Sequence, residues 1–262
     1  MTTLTGLACC RRGIDCLQLE YAQLSLLGHR AENQDRLAVV ANNQAVLVVV
    51  ADGMGGHQGG ALAAQTAVDS LRAGFLAVTT PILDPIGFLH RAMATAHDAV
   101  VAVGHALRFD SKPRATCAAC LIQQGASYWV HVGDSRLYQI RNGALVHRTR
   151  DHSHVERLLR EGSITAAEAS SHPMRHYVEH CLGGDAVLPE MTVTGRKVLQ
   201  VSDLLLVCSD GFWSNFQDMD LARALSTHSD LNATLQALGD FSVRASAPQS
   251  DNVSAVVVRW TA

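Results

Sequence analysis

Pairs of short apolar segments in this chain are joined by turn residues alone, with no helix between the members of a pair. Asn142-Gly143, which lies between the segments Arg136–Ile140 and Ala144–His147, is typical of the type I′ turn that joins antiparallel strands. Consecutive hairpins favour an antiparallel sheet over a regular β-α-β winding. The paired segments are Thr116–Ile122 with Ser127–Val132, and Arg136–Ile140 with Ala144–His147.

The remaining periodicity completes an α+β pattern. Further strands are predicted at Leu19–Leu27, Leu37–Val40, Val46–Ala51, Leu204–Cys208 and Val253–Trp260. Helices are predicted at Gly60–Leu76, at Pro85–Leu107, after capping boxes that begin at Ser153 and Thr165, and from Leu231 to about Val243. Neither a repeat nor a linker interrupts this pattern, so we expect one domain over residues 1–262.

The composition excludes several classes of protein. Hydrophobic residues make up 48% and charged residues 17% of the 262 positions, which is typical of a globular chain. The net charge of -3, without a basic run, argues against a nucleic-acid partner. No apolar run spans a bilayer and no leader is evident, so we expect no membrane insertion and a cytoplasmic location. Seven scattered cysteines suit reduced thiols, and Cys117 and Cys120 are expected in the core.

Four aspartates stand at the ends of apolar strands. Asp52, Asp134 and Asp210 each follow such a run, and Asp251 precedes one. Each aspartate alone is a common turn former. If the strand ends meet, however, converged carboxylates repel one another unless cations neutralise them, and all-oxygen sites suit Mg²⁺ or Mn²⁺. Both interpretations stay open on spacing alone.

The glycine-rich segment that follows Asp52 does not fit either common nucleotide motif. A P-loop requires a lysine, which residues 48–64 do not contain, and the dinucleotide pattern fails where Gln58 replaces glycine. We expect the glycines to let the backbone approach a group bound at Asp52, such as a metal met by the Gly53 carbonyl. Earlier in the chain, Arg30 is suited to bind phosphate and Asp35 adds a carboxylate; the alternative is a surface arginine beside a turn.

An ordered series of motifs resembles the metal-dependent protein phosphatases, that is, the PP2C-type serine/threonine phosphatases in their bacterial form. The resemblance covers residues 20 to 260 and implies a four-layer αββα sandwich, two antiparallel sheets flanked by helices, with a metal centre at one edge. The motifs are Arg30-Ala-Glu-Asn-Gln-Asp35, Asp52-Gly-Met-Gly-Gly-His57, Val132-Gly-Asp-Ser-Arg136, Cys208-Ser-Asp-Gly211 and Ser250-Asp-Asn-Val-Ser254.

The resemblance also implies a role for each site residue. Asp52 would bridge two Mn²⁺ or Mg²⁺ ions, one of them bound by the Gly53 carbonyl. Asp210 and Asp251 would hold the other ion. Asp134 would belong to a weaker third site, and Asp35 would act through metal-bound water.

The implied reaction is direct attack of a metal-bridging water on phosphoserine or phosphothreonine in proteins. Arg30 would bind the phosphate. His57 would protonate the leaving oxygen, although a metal-bound water could do so instead. Relatives of this kind oppose a bacterial Ser/Thr kinase, in some cases in the control of type VI secretion, so phosphorylated proteins and such a kinase are the expected partners.

Residues 149–184 resemble the flap of the family, a movable element beside the site. Two departures stand out: Gln34 replaces a common glutamate, and Ala115-Thr116-Cys117 stands where Gly-Thr-Thr is common. They favour an alternative, a catalytically weak module with the same fold that binds phosphoproteins. Hydrolysis of small phosphoesters is a third possibility.

Overall fold

Two antiparallel sheets form the centre of the computed structural model, which describes residues 4–8, 19–54, 57–107 and 112–261. The strands are β1 (Leu4–Ala8), β2 (Leu19–Leu26), β3 (Asp35–Ala41), β4 (Ala45–Met54), β5 (Arg114–Gln123), β6 (Ala126–Val132), β7 (Arg136–Arg141), β8 (Ala144–Arg148), β9 (Leu182–Gly183), β10 (Thr192–Val198), β11 (Leu204–Cys208) and β12 (Val253–Trp260). The helices are α1 (His57–Leu76), α2 (Pro85–Leu107), α3 (His154–Arg160), α4 (Ala166–Ser171), α5 (Asp210–Trp213), α6 (Asp218–Thr227) and α7 (Leu231–Ala245).

The first sheet, sheet A, has the order β1-β2-β12-β11-β7-β8, and the second, sheet B, has the order β10-β6-β5-β4-β3, with β9 paired to β5. Both predicted hairpins form, β5 with β6 and β7 with β8. The turn between β7 and β8 has positive φ at Asn142 (51°) and Gly143 (75°), as a type I′ turn requires.

Helices cover the outer face of each sheet. Helices α1 and α2 pack against sheet B, and α6 and α7 pack against sheet A. A third apolar cluster fills the space between the sheets. The predicted four-layer αββα sandwich is therefore confirmed. Among the described residues, no helix combines the length and the apolar character that crossing a bilayer requires.

Several local predictions need correction. Asp52 does not lie in a turn, because β4 continues to Met54 and Asp52 still pairs with Thr116 of β5. Asp210 opens the short helix α5. Strand β10 and helix α6 were not predicted. The capping box closes fully at Thr165, whereas Ser153 caps α3 without the return bond from Glu156.

The two cysteines of the Cys-x-x-Cys segment are core residues, as predicted. Cys117 packs under the helices on the outer face of sheet B, and Cys120 packs between the sheets. Both thiols are buried, and burial raises the pKa of Cys117 to about 12. Because the two side chains leave β5 on opposite faces, they have no common ligand or disulfide to form.

A buried ion pair joins the far end of sheet A to the chain before β11. The Asp203 carboxylate is fully buried and accepts two hydrogen bonds from Arg141, each of 2.7 Å. Gln139 and the Gln200 backbone also donate to it. Burial alone would raise the pKa of Asp203, but these hydrogen bonds, with Arg141 foremost, lower it. Arg141 and Asp203 therefore form a specific ion pair rather than a loose contact between two surface charges.

We predict that Arg141→Ala lowers the free energy of unfolding by about 3 kcal/mol, because it leaves the buried Asp203 carboxylate without its cation. The matched control is Arg223→Ala, which removes an exposed arginine paired with Asp220 and should cost less than about 1 kcal/mol. Urea unfolding of the three proteins at pH 7 measures both changes. Equal losses in the two variants would contradict the assignment.

Candidate metal centre

The inner face of sheet B changes from apolar to acidic at one edge of the sandwich. Side chains alternate between the two faces of a strand, so Asp52 shares the inter-sheet face of Val48 and Val50. Asp35 and Thr116 lie directly opposite Asp52 in register on the neighbouring strands, and cross-strand neighbours share a face. Three polar side chains therefore project into the gap between the sheets at this edge.

The opposing positions of sheet A are hydroxyl groups. The Ser209 hydroxyl donates to Asp35 Oδ2 over 2.8 Å, and Ser135 Oγ lies 2.7 Å from Thr116 Oγ1. The Ser254 backbone N–H donates to Ser209 Oγ over 3.1 Å. The contacts of Ser209 with Asp35 and of Ser135 with Thr116 join the two sheets where the apolar packing ends, so the polar edge is part of the fold rather than a loose rim.

Asp35 is almost completely buried behind this edge. Its Oδ1 atom has no hydrogen-bond partner in the described part of the chain. Burial, with smaller contributions from the charges of Asp210 and Asp251, raises the pKa of Asp35 to about 7 against hydrogen bonds from serines that lower it. A carboxylate held this way is costly for the metal-free protein at neutral pH.

The other aspartates line a cleft of about 810 Å³ that opens at the same edge. Asp52, Asp134, Asp210 and Asp251 all face it. Asp35 does not line the cleft, and its position behind Asp52 suits the expected role through an intervening water. The structure therefore brings four of the five predicted carboxylates to one surface and places the fifth beneath them.

The carboxylates interact unfavourably. Burial, followed by the charges of Asp35 and Asp210, raises the pKa of Asp52 well above its usual value. Burial and the charge of Asp210 likewise raise the pKa of Asp134. For Asp210, burial and the charge of Asp251 raise the pKa, opposed in part by His176. Each group therefore holds its proton more tightly, first because it is buried and then because its neighbours are acidic.

Arg30 projects over the outer end of the cleft. Its Nη2 donates to Asp251 Oδ2 over 2.7 Å, and the arginine side chain is 58% exposed. Asn252 fixes the loop that carries Arg30, donating to the Leu27 and Glu32 carbonyls and accepting from the Gln34 N–H. The guanidinium is thus held beside the acidic residues while much of it stays open to solvent.

The turn that carries Asp134 is held from three sides. Trp213 Nε1 donates to the Asp134 carbonyl over 3.0 Å, and Arg136 stacks on the Trp213 ring. Arg136 also makes two hydrogen bonds of 2.7 Å to Asp151, at the start of the flap. His152 accepts from the Gly133 N–H at Nδ1 and returns a backbone bond to its carbonyl.

None of these supporting side chains was assigned a role from the sequence. Arg136 stands within a quoted motif, but nothing local indicated that Asp151, fifteen residues later, pairs with it. His152 stacks on His131, and with Nε2 lying 2.9 Å from Thr192 Oγ1 both of its ring nitrogens are engaged, which leaves none for a metal.

The glycines after Asp52 have a packing role that was not predicted from the sequence. A side chain on Gly53 would clash with the backbone of Gly60, and one on Gly60 would lie 2.8 Å from the Gly53 carbonyl oxygen. The pair lets α1 start close to β4, with Gln34 alongside. Gly53 is not among the residues that line the cleft. His57 begins α1, but its side chain lies outside the described residues.

The residues present fit a hard divalent cation. The set is all oxygen, several members are buried, and Asp210 Oδ1, like Asp35 Oδ1, lacks a hydrogen-bond partner among the described residues. In the same residues, no three acidic, histidine or cysteine side chains stand close enough together to form a ready-made ligand set. A cation would therefore have to draw the aspartates inward across the cleft, and its positive charge would offset their repulsion.

The raised pKa of Asp35 predicts a pH dependence for metal-free stability. Between the unfolded pKa near 3.8 and the folded value of about 7, the folded protein holds a proton that the unfolded chain has lost. The contribution of Asp35 to the free energy of unfolding therefore falls by about 4 kcal/mol as the pH rises through this window. Asp35→Asn removes this fall, so it should stabilise the chain increasingly from pH 4 to pH 8.

Urea unfolding in EDTA at several pH values measures the difference between Asp35→Asn and the wild type. The difference cancels the contribution of His131 and His152, whose pKa values are lowered chiefly by burial and which add an opposite rise to both proteins, and it reports Asp35 together with its effect on Asp52. Asp69→Asn, on the exposed surface of α1, should show no pH-dependent difference. A constant difference for Asp35→Asn would show that its carboxyl is not strained in this way.

Comparison with known proteins places this geometry in a family. Residues 25–250 match the sequence profile of the family that is described as protein phosphatase 2C. The chain is 32% identical to the serine/threonine protein phosphatase PstP of Mycobacterium tuberculosis, over 90% of this chain and 46% of that protein, so it spans about half the length of that relative. It is 30% identical to the serine/threonine phosphatase stp of Listeria monocytogenes, over 78% of this chain and 81% of the relative.

Solved structures agree with the sequence matches. The M. tuberculosis phosphatase PstP/Ppp superposes with a TM-score of 0.81 at 32% identity, covering 93% of this chain and 99% of that one. The catalytic domain of PstP in complex with two manganese ions gives 0.77 at 30% identity, covering 93% and 99%. PppA of Pseudomonas aeruginosa, described as a regulatory component of the type VI secretion system, gives 0.75 at 29% identity, covering 92% and 97%. The chain therefore belongs to the protein phosphatase 2C family.

Proposed function

We propose that this chain is a Mn²⁺- or Mg²⁺-dependent protein serine/threonine phosphatase. The observation that carries the proposal is the group of mutually repelling aspartates at one edge of the sandwich, with the exposed guanidinium of Arg30 beside it. Such a group needs cations for charge balance, and an arginine at its margin suits a phosphate ligand. Family membership and the two manganese ions in the related PstP structure support the same assignment.

The cation ligands in this proposal are Asp52, Asp210 and Asp251, with the Gly53 carbonyl added on family resemblance alone. When bound, two such cations lower the pKa of a coordinated water and offset the charge of the phosphate. Asp134 is proposed for a weaker third site, since its turn is fixed by Trp213 yet its carboxylate faces the open cleft. Asp35, hydrogen-bonded by Ser209, would orient water from beneath the cleft floor.

Arg30 would bind two phosphate oxygens through its planar guanidinium, which orients the phosphorus and balances charge that develops in the transition state. Asn252 supports this role, because its three hydrogen bonds fix the loop on which Arg30 stands. The leaving serine or threonine oxygen needs a proton, and His57 is the proposed donor since histidine titrates near neutral pH. The flap, residues 149–184, contributes Tyr177 and Val178 to the cleft wall, where a protein substrate would pass.

The proposed partners are phosphorylated proteins, among them a bacterial Ser/Thr kinase and its substrates, and the proposed location is the cytoplasm. The printed names of the relatives support a signalling role, and the likeness to PppA makes type VI secretion control one candidate process. Mn²⁺ is favoured over Mg²⁺ as the test cation because the related PstP structure contains it.

We predict that the purified chain releases phosphate from phosphothreonine peptides when Mn²⁺ is supplied, and that Asp52→Asn and Asp210→Asn each lower the rate by more than about 100-fold. This loss exceeds the typical effect of an outer partner of a metal site, since both residues would contact the cations directly. Asp69→Asn, on the outer surface of α1, is the matched carboxylate control and should keep full activity. Phosphate release, measured from pH 6 to 9 with thermal melting as a folding check, gives the answer.

The same measurement separates the alternatives. A folded chain that binds Mn²⁺ or phosphopeptide yet releases no phosphate is the binding module that Gln34 and Cys117 suggest. Near-full activity in either asparagine variant would remove that residue from the proposed metal centre. Comparable turnover of p-nitrophenyl phosphate and phosphopeptides would favour small phosphoesters as substrates.

A further inference from the structure

Two arginines on the rim of the cleft lack an anionic partner. Arg114 and Arg175 both line the cleft that contains the aspartates, and both are exposed. In the described part of the chain, neither guanidinium makes a hydrogen bond or an ion pair, whereas Arg30 is paired with Asp251. Exposed arginines beside a protein-binding cleft, without a partner of their own, are available to an anionic ligand.

Arg114 is aimed at the cleft by its strand. It is the first residue of β5 and lies two residues before Thr116, so it shares the inter-sheet face of Thr116 and of Asp52. Two residues of a strand span about 7 Å, so Arg114 stands one side-chain row farther out than the acidic floor. Its cross-strand neighbour, Met54, also lines the cleft. The guanidinium is therefore placed for a group beside the reacting phosphate, not for that phosphate itself.

The flap leaves room for this side chain. Gly184, at the end of the flap, has φ of +81°, and a side chain there would lie 2.9 Å from Arg114 Nε. The backbone of Gly184 is tied to the strand that carries Arg114 through a hydrogen bond to the Pro113 carbonyl. A residue larger than glycine at position 184 would displace the guanidinium from its path along the flap.

Arg175 approaches the same cleft from the flap itself. It lies in the turn after α4, next to His176, which also lines the cleft. The lining residues that follow α5 and α7 are polar but uncharged: Ser214, Asn215, Ser246 and Gln249. The unpaired positive charge of the cleft therefore lies on its flap side.

We propose that Arg114 and Arg175 form a second anion subsite, which selects phosphoproteins carrying another anionic side chain near the phosphorylated residue. This inference rests on the proposed phosphatase function and narrows its substrates to acidic or doubly phosphorylated segments. Arg30 and the metal centre take the phosphate that is hydrolysed. The two rim arginines hold the neighbouring carboxylate or phosphate on the flap side and leave it unchanged.

The test compares phosphothreonine peptides that differ at one position. One peptide has neutral neighbours, and the others carry aspartate or a second phosphothreonine at each of the two positions on either side. For the wild type with Mn²⁺, we expect kcat/KM for the best anionic neighbour to exceed that for the neutral peptide about tenfold, the value of one charge-assisted hydrogen bond. The aspartate and phosphothreonine arms distinguish a carboxylate subsite from a phosphate subsite.

The variant Arg114→Ala/Arg175→Ala should bring this ratio close to one and leave turnover of p-nitrophenyl phosphate unchanged. Arg72→Ala, an exposed arginine on α1 far from the cleft lining, should keep the wild-type ratio. If the double variant loses kcat/KM equally for neutral and anionic peptides, the two arginines only attract phosphate in general and do not form a subsite. A ratio near one in the wild type would overturn the subsite directly.

A binding measurement keeps the inference independent of catalysis. Fluorescence anisotropy with peptides that carry a non-hydrolysable phosphonate in place of the reacting phosphate compares the same neighbours. We expect the anionic neighbour to strengthen binding about tenfold in the wild type and not in the double variant. Absence of phosphate release with this binding pattern intact would reject the proposed function but keep the subsite; equal binding of all peptides would reject the subsite alone.

Discussion

The alternation of side chains in the central strands sets the position of everything else in the site. Valines at positions 48 and 50 fill the space between the sheets, and the next residue on that face is Asp52. Where the apolar row ends, the same face must become polar, because the gap opens to water. Ser209, just after β11, meets Asp35, and Ser135, just before β7, meets Thr116, so both contacts tie the two sheets together at this edge. The alternation of side chains along one strand thus places both the apolar core and the acidic edge.

This arrangement is costly until the charges are balanced. Burial and mutual repulsion raise the pKa values of Asp52, Asp134 and Asp210. Arg30 and Arg136 relieve that repulsion only in part, and the other surrounding contacts hold the backbone that carries the aspartates. Arg136, Trp213 and the flap fix the Asp134 turn, so bound cations would act on a scaffold that is already organised. The contact between Arg136 and Asp151 also makes the flap part of the site's support.

Local pattern was sufficient to predict antiparallel sheets, since hairpin signals and period-two apolar runs report directly on strand pairing, whereas the four-layer sandwich was implied by the family resemblance. Local pattern also singled out the aspartates, because each stands at the end of a recognisable strand, but it left their purpose open. Local pattern could not predict contacts between distant segments. Residue spacing does not indicate the contact of Arg136 with Asp151 or that of Asn252 with the Arg30 loop. The packing role of the glycines was missed for the same reason, since Gly60, the residue that Gly53 accommodates, lies seven residues further along the chain.

Anomalous X-ray diffraction from crystals grown with Mn²⁺ shows whether Asp52 and its neighbours form a two-cation centre. We expect two anomalous peaks in the cleft, both within bonding distance of Asp52, with Asp210 and Asp251 drawn inward onto one of them. Peaks located elsewhere on the protein, or a manganese-soaked cleft without any peak, would contradict a two-cation centre.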